Sequence, residues 1–154
     1  WPPRARGGGG EQWEKEGKSY KEQADKCKHS DPIKAAELYF KSSIKYLECA
    51  SEEANTPPQR QPHVTYVRVA DMFQYAAHLA KSCIDKDKAA MSKDKKGTMS
   101  KPAHRRAQEM QALSTKAAAI CLMRNYQTAG RNSLKKSIRS YKDAPTGEGQ
   151  GRFL

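Results

Sequence analysis

Long apolar runs are missing from this chain of 154 residues. No stretch approaches the roughly 20 residues that a membrane-spanning helix requires, and none has the build of a secretory leader. A cytosolic or nuclear setting follows. Strand-like alternation is absent as well, which excludes a sheet-based architecture. Aromatic residues make up only 8% of the chain and hydrophobic residues 36%. That supply suits one helical domain with a thin core, not two domains. Acidic residues are also scarce, with 17 Asp+Glu against 29 Lys+Arg and a formal net charge of +12. Such a surplus bears on solubility and on polyanionic partners, not on fold. The chain opens at Trp1 rather than Met and is expected to be a fragment of something larger.

The chemistry-bearing constellations are missing too. Cys27, Cys49, Cys83 and Cys121 stand far apart, with no CxxC and no Cys/His ligand spacing. They read as one small apolar residue on each of four helices in a reducing compartment, and not as a disulfide framework or zinc site. His29, His63, His78 and His104 include no i, i+3 or i, i+4 pair that would bind a metal. The carboxylates sit mostly beside lysines, as in Asp85-Lys86-Asp87-Lys88, in the manner of a solvated face. Gly7 to Gly10 follow no strand and precede no Lys-Ser/Thr, so they form no phosphate loop. No catalytic residue, metal or cofactor is therefore expected, and the chain reads as a non-enzyme.

What the chain does have is helical periodicity. Ile33, Ala36, Phe40, Ile44 and Leu47 fall at steps of three and four, widened by Tyr39 and Tyr46, with Lys41, Lys45 and Glu48 on the wet side. Such a helix needs neighbours to cover its apolar face. Before it, residues 12–29 are rich in good helix formers, with a narrow edge of Trp13, Tyr20, Ala24 and Cys27. His29-Ser30-Asp31-Pro32 reads as a stop and restart, because Ser30 or Asp31 can cap and Pro32 fits a first turn. Three prolines between positions 57 and 62 make a loop.

A third helix then carries Tyr66, Val69, Ala70, Phe73, Ala77, Ala80 and Ile84 on one face, its alanines allowing a close crossing. The polar stretch 85–101 reads as a flexible loop, or as a frayed helix extension between the two halves. A fourth helix over about 103–127 is expected to bury Ala107, Met110, Leu113, Ala117, Ile120, Cys121 and Met123, and to be the most buried of the set. Gly130 marks a break before a fifth, over about 132–142, with Leu134, Ile138 and Tyr141. The fold class is all-α, with about five helices in antiparallel hairpins. Residues 1–10 are expected as a flexible arm, 11–143 as the helical domain and 144–154 as a disordered tail.

Two basic clusters are candidate polyanion contacts. Between Lys81 and Arg106 nine Lys/Arg face three Asp, among them Lys93, Lys95, Lys96, Lys101, Arg105 and Arg106. The second comprises Arg124, Arg131, Lys135, Lys136 and Arg139. Contacts from either to DNA or RNA would be non-specific and salt-sensitive. No aromatic residue is interleaved with the lysines, so base stacking lacks support. A solvated lysine-rich surface is the plain alternative.

Part of a tetratricopeptide pattern is present, with Ala24, Ala36 and Phe40 at separations of twelve and four. No second copy recurs at 34 residues, so a repeat-like hairpin is credible and a repeat array is not. A microtubule-interacting-and-transport type hairpin fits residues 16–53 alone and leaves the last helices unexplained.

Three segments carry a more specific likeness. Tyr39 with Ile44-Lys-Tyr-Leu-Glu-Cys-Ala50, then Tyr66 and Met72-Phe-Gln-Tyr-Ala-Ala-His-Leu79, then Met123-Arg124 and Leu134-Lys-Lys-Ser-Ile-Arg-Ser-Tyr141 resemble one known domain. It is the C-terminal homology domain of the AF-four/FMR-two, or Lilliputian-like, family of transcription-elongation scaffolds. A similar segment closes some plant CW-type zinc-finger proteins. The likeness covers about residues 15–142. It implies a nuclear, all-helical domain with a tetratricopeptide-like core that dimerises with itself or a paralogue, and nucleic-acid binding by such a domain would fit the +12 charge. Elongation factors would be recruited through a part of the protein beyond these residues. The lysine-rich link before the fourth helix departs from that pattern. The expected function is thus a dimerisation domain of a nuclear scaffold, with Tyr126, Leu134, Ile138 and Tyr141 as interface candidates and no membrane partner. The alternative is a basic nucleic-acid-binding module.

Overall fold

A computed structural model describes residues 3–55, 65–93 and 99–143, without the side chains of 3–9 and 128–134. The fold is all-α. Among the described residues the elements are α1 (Pro3–Cys27), α2 (Pro32–Asn55), α3 (Tyr66–Ser92) and α4 (Lys101–Asp143), with no strand. Each helix packs chiefly on its neighbour in the chain, and α2 also touches α4. Every consecutive pair is antiparallel. Trp13 meets Glu52 while Asp25 meets Tyr39 across α1 and α2. Phe40 meets Phe73 across α2 and α3, and His104 meets Asp87 across α3 and α4.

Local chemistry sets the helix starts. Asp31 accepts the Lys34 backbone N–H on Oδ1 at 3.1 Å, and Pro32 follows as the first helical residue of α2. The backbone N–H of Ser30 and of Asp31 both donate to the Cys27 carbonyl, closing α1. Thr65 Oγ1 accepts from Arg68 N–H at 3.3 Å to start α3. Ser100 Oγ accepts from Ala103 N–H at 3.3 Å to start α4, with Pro102 in the first turn. Each such cap is worth about 1 kcal/mol.

Three clusters form the core. Ala24 of α1 packs with Ala35, Leu38 and Tyr39 of α2 and Ala76 of α3. Ala50, Val69, Ala70 and Phe73 pack with Ala118 and Cys121 of α4. Ile33, Cys83 and Ile84 pack with Ala107. The faces expected for α2 and α3 are in place. On α2 the buried surface is wider than one stripe and takes in Ser42 and Ser43, because α1 and α3 cover it from two sides. Ser42 Oγ donates to the Gly17 carbonyl at 2.6 Å, and Ser43 Oγ to the Tyr39 carbonyl at 2.8 Å. α1 lies close against α2 at Gly17, since a Cβ there would lie 2.9 Å from Tyr46 Cε2.

Several expectations are corrected. α1 begins at Pro3, so residues 3–10 are helical and not an arm. The helix propagates back from the docked Trp13 through Gly7 to Gly10, each of which weighs about 1 kcal/mol against it. In the polar stretch 85–101 the helix extension holds as far as Ser92, where α3 ends, and residues 94–98 lie outside the described residues. The segments on either side of Gly130 form one helix of 43 residues, one glycine being too small a penalty to interrupt it. α4 is not the most buried helix. Leu113, Ile120 and Met123, expected inside, are 49%, 60% and 62% exposed, because neighbours cover only one side of α4. Residues 56–64 and 144–154 lie outside the described residues.

Candidate functional site

The alternation of small and large residues along α4 decides which side is covered. Ala107, Ser114, Ala118 and Cys121 are buried, and their small side chains let the helix lie close to α3. The larger residues of the same helix point elsewhere. Besides Leu113, Ile120 and Met123, Leu122 is 41% exposed, Tyr126 77%, Ile138 48% and Tyr141 55%. α4 therefore carries a second apolar face. Its last packed residues are near Cys121, and Arg124 lies over the Tyr66 ring at 5.9 Å. From there to Asp143 the helix runs about 29 Å further at 1.5 Å per residue.

Three of the four interface candidates, Tyr126, Ile138 and Tyr141, are on this exposed part of α4. Leu134 is in the same helix, but its side chain lies outside the described residues. The candidate polyanion contacts divide. Lys93 caps α3, and Lys101 and Arg105 are exposed at the start of α4, where Arg105 pairs loosely with Glu109 at 3.7 Å. Lys95, Lys96 and the Arg131 side chain lie outside the described residues. Arg106 is tied down, with Nε donating to Glu37 of α2 at 2.9 Å. Lys135, Lys136 and Arg139 are exposed on the far part of α4. Lys101 and Lys135 are about 51 Å apart along one helix. Among the described residues the two clusters do not converge on one site.

One buried carboxylate was not foreseen. Asp87, read as part of a solvated Asp-Lys run, is only 3% exposed. Its Oδ1 accepts the Met99 backbone N–H at 3.0 Å and its Oδ2 lies 2.8 Å from His104 Nδ1. The pair clasps the end of α3 to the start of α4. A signal was available, because Asp87 continues the buried register of Ala80 and Ile84 at steps of seven and three.

A second polar contact joins α1 to α2. The Tyr39 hydroxyl donates to the Asp25 carboxylate, and Lys21 Nζ adds an ion pair at 2.9 Å; together they hold the carboxyl below its usual range. Burial first, then that carboxylate, pushes the Tyr39 phenol up. Burial raises the Cys49 thiol to about 12, with Glu53 adding to it. It raises Cys83 and Cys121 as well. One cysteine does lie on each helix, and these three thiols are far from reactive thiolates. Among the described residues no group of three His, Cys, Asp or Glu could hold a metal. No described helix is long and apolar enough to cross a membrane. The depression lined by His78, Lys81, Ser82 and Asp85 is formed by α3 alone and encloses nothing.

Against known proteins, no family model, no curated protein and no solved structure matches this chain.

Proposed function

We propose that this chain is a non-enzymatic protein-interaction module that joins partners by burying the outer apolar face of α4. The observation that carries the reading is the exposure of Leu113, Ile120, Met123, Ile138 and Tyr141 on one side of α4, away from the residues of that helix that pack on α3. Burial of apolar area drives most protein association. A second copy or a paralogue is the partner suggested by the resemblance to the elongation-scaffold domain. A nucleus-located, tetratricopeptide-like scaffold belongs to the same reading, on that resemblance alone. In 0.5 M salt, where repulsion between basic copies is screened, light scattering at micromolar concentration should give a two-copy mass. Met123→Ser with Ile138→Ser should return it to one. A one-copy mass for the unaltered chain at every concentration would sink dimerisation.

Nucleic-acid binding is a second reading, favoured by one observation. Between Met110 and Lys142 there are seven Lys/Arg and no Asp or Glu. Labelled DNA at low salt should lose affinity for Lys135→Glu with Lys136→Glu and Arg139→Glu. Unchanged binding would remove this reading.

A further inference from the structure

The outer face of α4 has two borders of different chemistry. At 100° per residue, Leu113, Ile120, Met123, Ile138 and Tyr141 fall within a sector of about 80°. Ala107, Ser114, Ala118 and Cys121 centre about 150° away, toward α3. Along one border of the apolar sector lie Lys135, Lys142 and Arg124, which also rests on Tyr66, with Arg139 further round toward the covered side. Along the other border lie Ala112, Ala119 and Ser137, exposed, small and uncharged, with the exposed Tyr126 ring beside them, and Lys116 is a single cation within the sector itself. The sector spans about 42 Å from Leu113 to Tyr141.

We infer that this face docks an acidic amphipathic helix, one with an apolar stripe and Asp or Glu along a single flank. The inference rests on the reading of α4 as an interaction surface and commits that surface to an occupant. Three occupants differ in what they leave unsatisfied. A second copy would cover the apolar sector but set cations against cations, since α4 has no carboxylate between Met110 and Lys142. A nucleic acid would neutralise the cations but leave Ile120, Met123 and Ile138 in water. A helix with carboxylates on one flank satisfies both. The pairing is helix-to-helix, with apolar anchors for affinity and the one-sided charge for orientation.

The test uses the full chain and two fluorescein-labelled 28-residue peptides. Both carry Leu at heptad positions a and d; one has Glu on the flank and the other has Lys at the same places. The Glu peptide should raise its anisotropy at micromolar chain in 50 mM salt and lose about tenfold in affinity by 300 mM. Met123→Ser with Ile138→Ser, and separately Lys135→Glu with Arg139→Glu, should each weaken it about tenfold. These sites are exposed, and unchanged circular dichroism would show that the fold is intact. Equal or tighter binding of the Lys peptide would overturn the inference. So would Glu-peptide binding that ignores the Met123 and Ile138 changes, since charge alone would then explain it. A two-copy mass in 0.5 M salt with no Glu-peptide binding would keep the docking face and overturn its acidic occupant. Loss of both would remove both readings.

Discussion

From Lys101 to Cys121, α4 lies along α3 and buries Ala107, Ser114, Ala118 and Cys121. From Leu122 to Asp143 every described side chain except Asn125 is exposed. The buried half is held by small residues, whereas Met123, Tyr126, Ile138 and Tyr141 of the other half remain in water. Side-chain bulk thus does not predict burial along α4. Small residues set the helix spacing, and large ones are left for whatever else comes near. α1 shows the same division, since Gly17 is pressed against Tyr46 while Gly10 has nothing within 4 Å of an added Cβ.

Truncation should break the two halves apart most clearly. Phe73→Ala removes a fully buried ring from the cluster that holds Ala118 and Cys121, and should cost about 3–5 kcal/mol in denaturant unfolding. Ile138→Ala, on the far half, should stay within about 0.5 kcal/mol. Comparable losses at the two sites would mean that the far half is packed after all.

The Asp87 clasp tests what holds the near half in place. Asp87→Ala leaves the Met99 N–H and the His104 ring without their carboxylate and should cost about 2 kcal/mol. Asp87→Asn keeps an acceptor and should recover part of that loss. No change on Asp87→Ala would mean that apolar contacts alone dock the start of α4.

The glycine pair sharpens the comparison in α1. Gly17→Ala gains up to about 1 kcal/mol of helix propensity but must push the Tyr46 ring away. It should destabilise by about 1 kcal/mol net. Gly10→Ala meets open space and should stabilise by up to about 1 kcal/mol. Gains at both sites would show that the Tyr46 ring yields freely.

Where a helix is covered on two sides, its periodicity reads through to the structure. The stripes from Ile33 to Leu47 and from Tyr66 to Ile84, and the cap at Asp31-Pro32, were all legible for that reason. α4 was not, because it has apolar residues on two faces and hydropathy does not say which one a neighbour covers. Ranking by size favoured Leu113, Ile120 and Met123, whereas close helix contact selects Ala107, Ser114 and Ala118. Buried polar residues escape the same reading. Ser42, Ser43 and Asp87 count as wet by composition, and their partners become visible only when the helices are side by side. The Arg106–Glu37 pair spans 69 positions and leaves no local trace. For the candidate site, the sequence picked out Tyr126, Ile138 and Tyr141 as surplus apolar residues. The one-sided cationic border and the small residues opposite it emerge only once residues 101–143 are known to be one helix.

The smallest effect concerns acid stability at the α1–α2 contact, well inside the packed region. The Tyr39 hydroxyl, and after it Lys21, lower the Asp25 carboxyl below its usual range. A carboxylate whose pKa is depressed on folding adds stability above its unfolded value, about 4, and loses it as pH falls through the folded value. The Asp25 side chain is 42% exposed, so solvent screening limits the contribution to less than about 1 kcal/mol. Unfolding free energy should therefore decline from about pH 5 downward. Tyr39→Phe should flatten the part of that decline due to Asp25, and Lys21→Met should flatten less of it. Because the contact joins two packed helices, neither change should alter the exposure of the α4 outer face. An acid slope identical in the Tyr39→Phe protein would place the pH dependence elsewhere and leave the Tyr39–Asp25 bond as packing geometry alone.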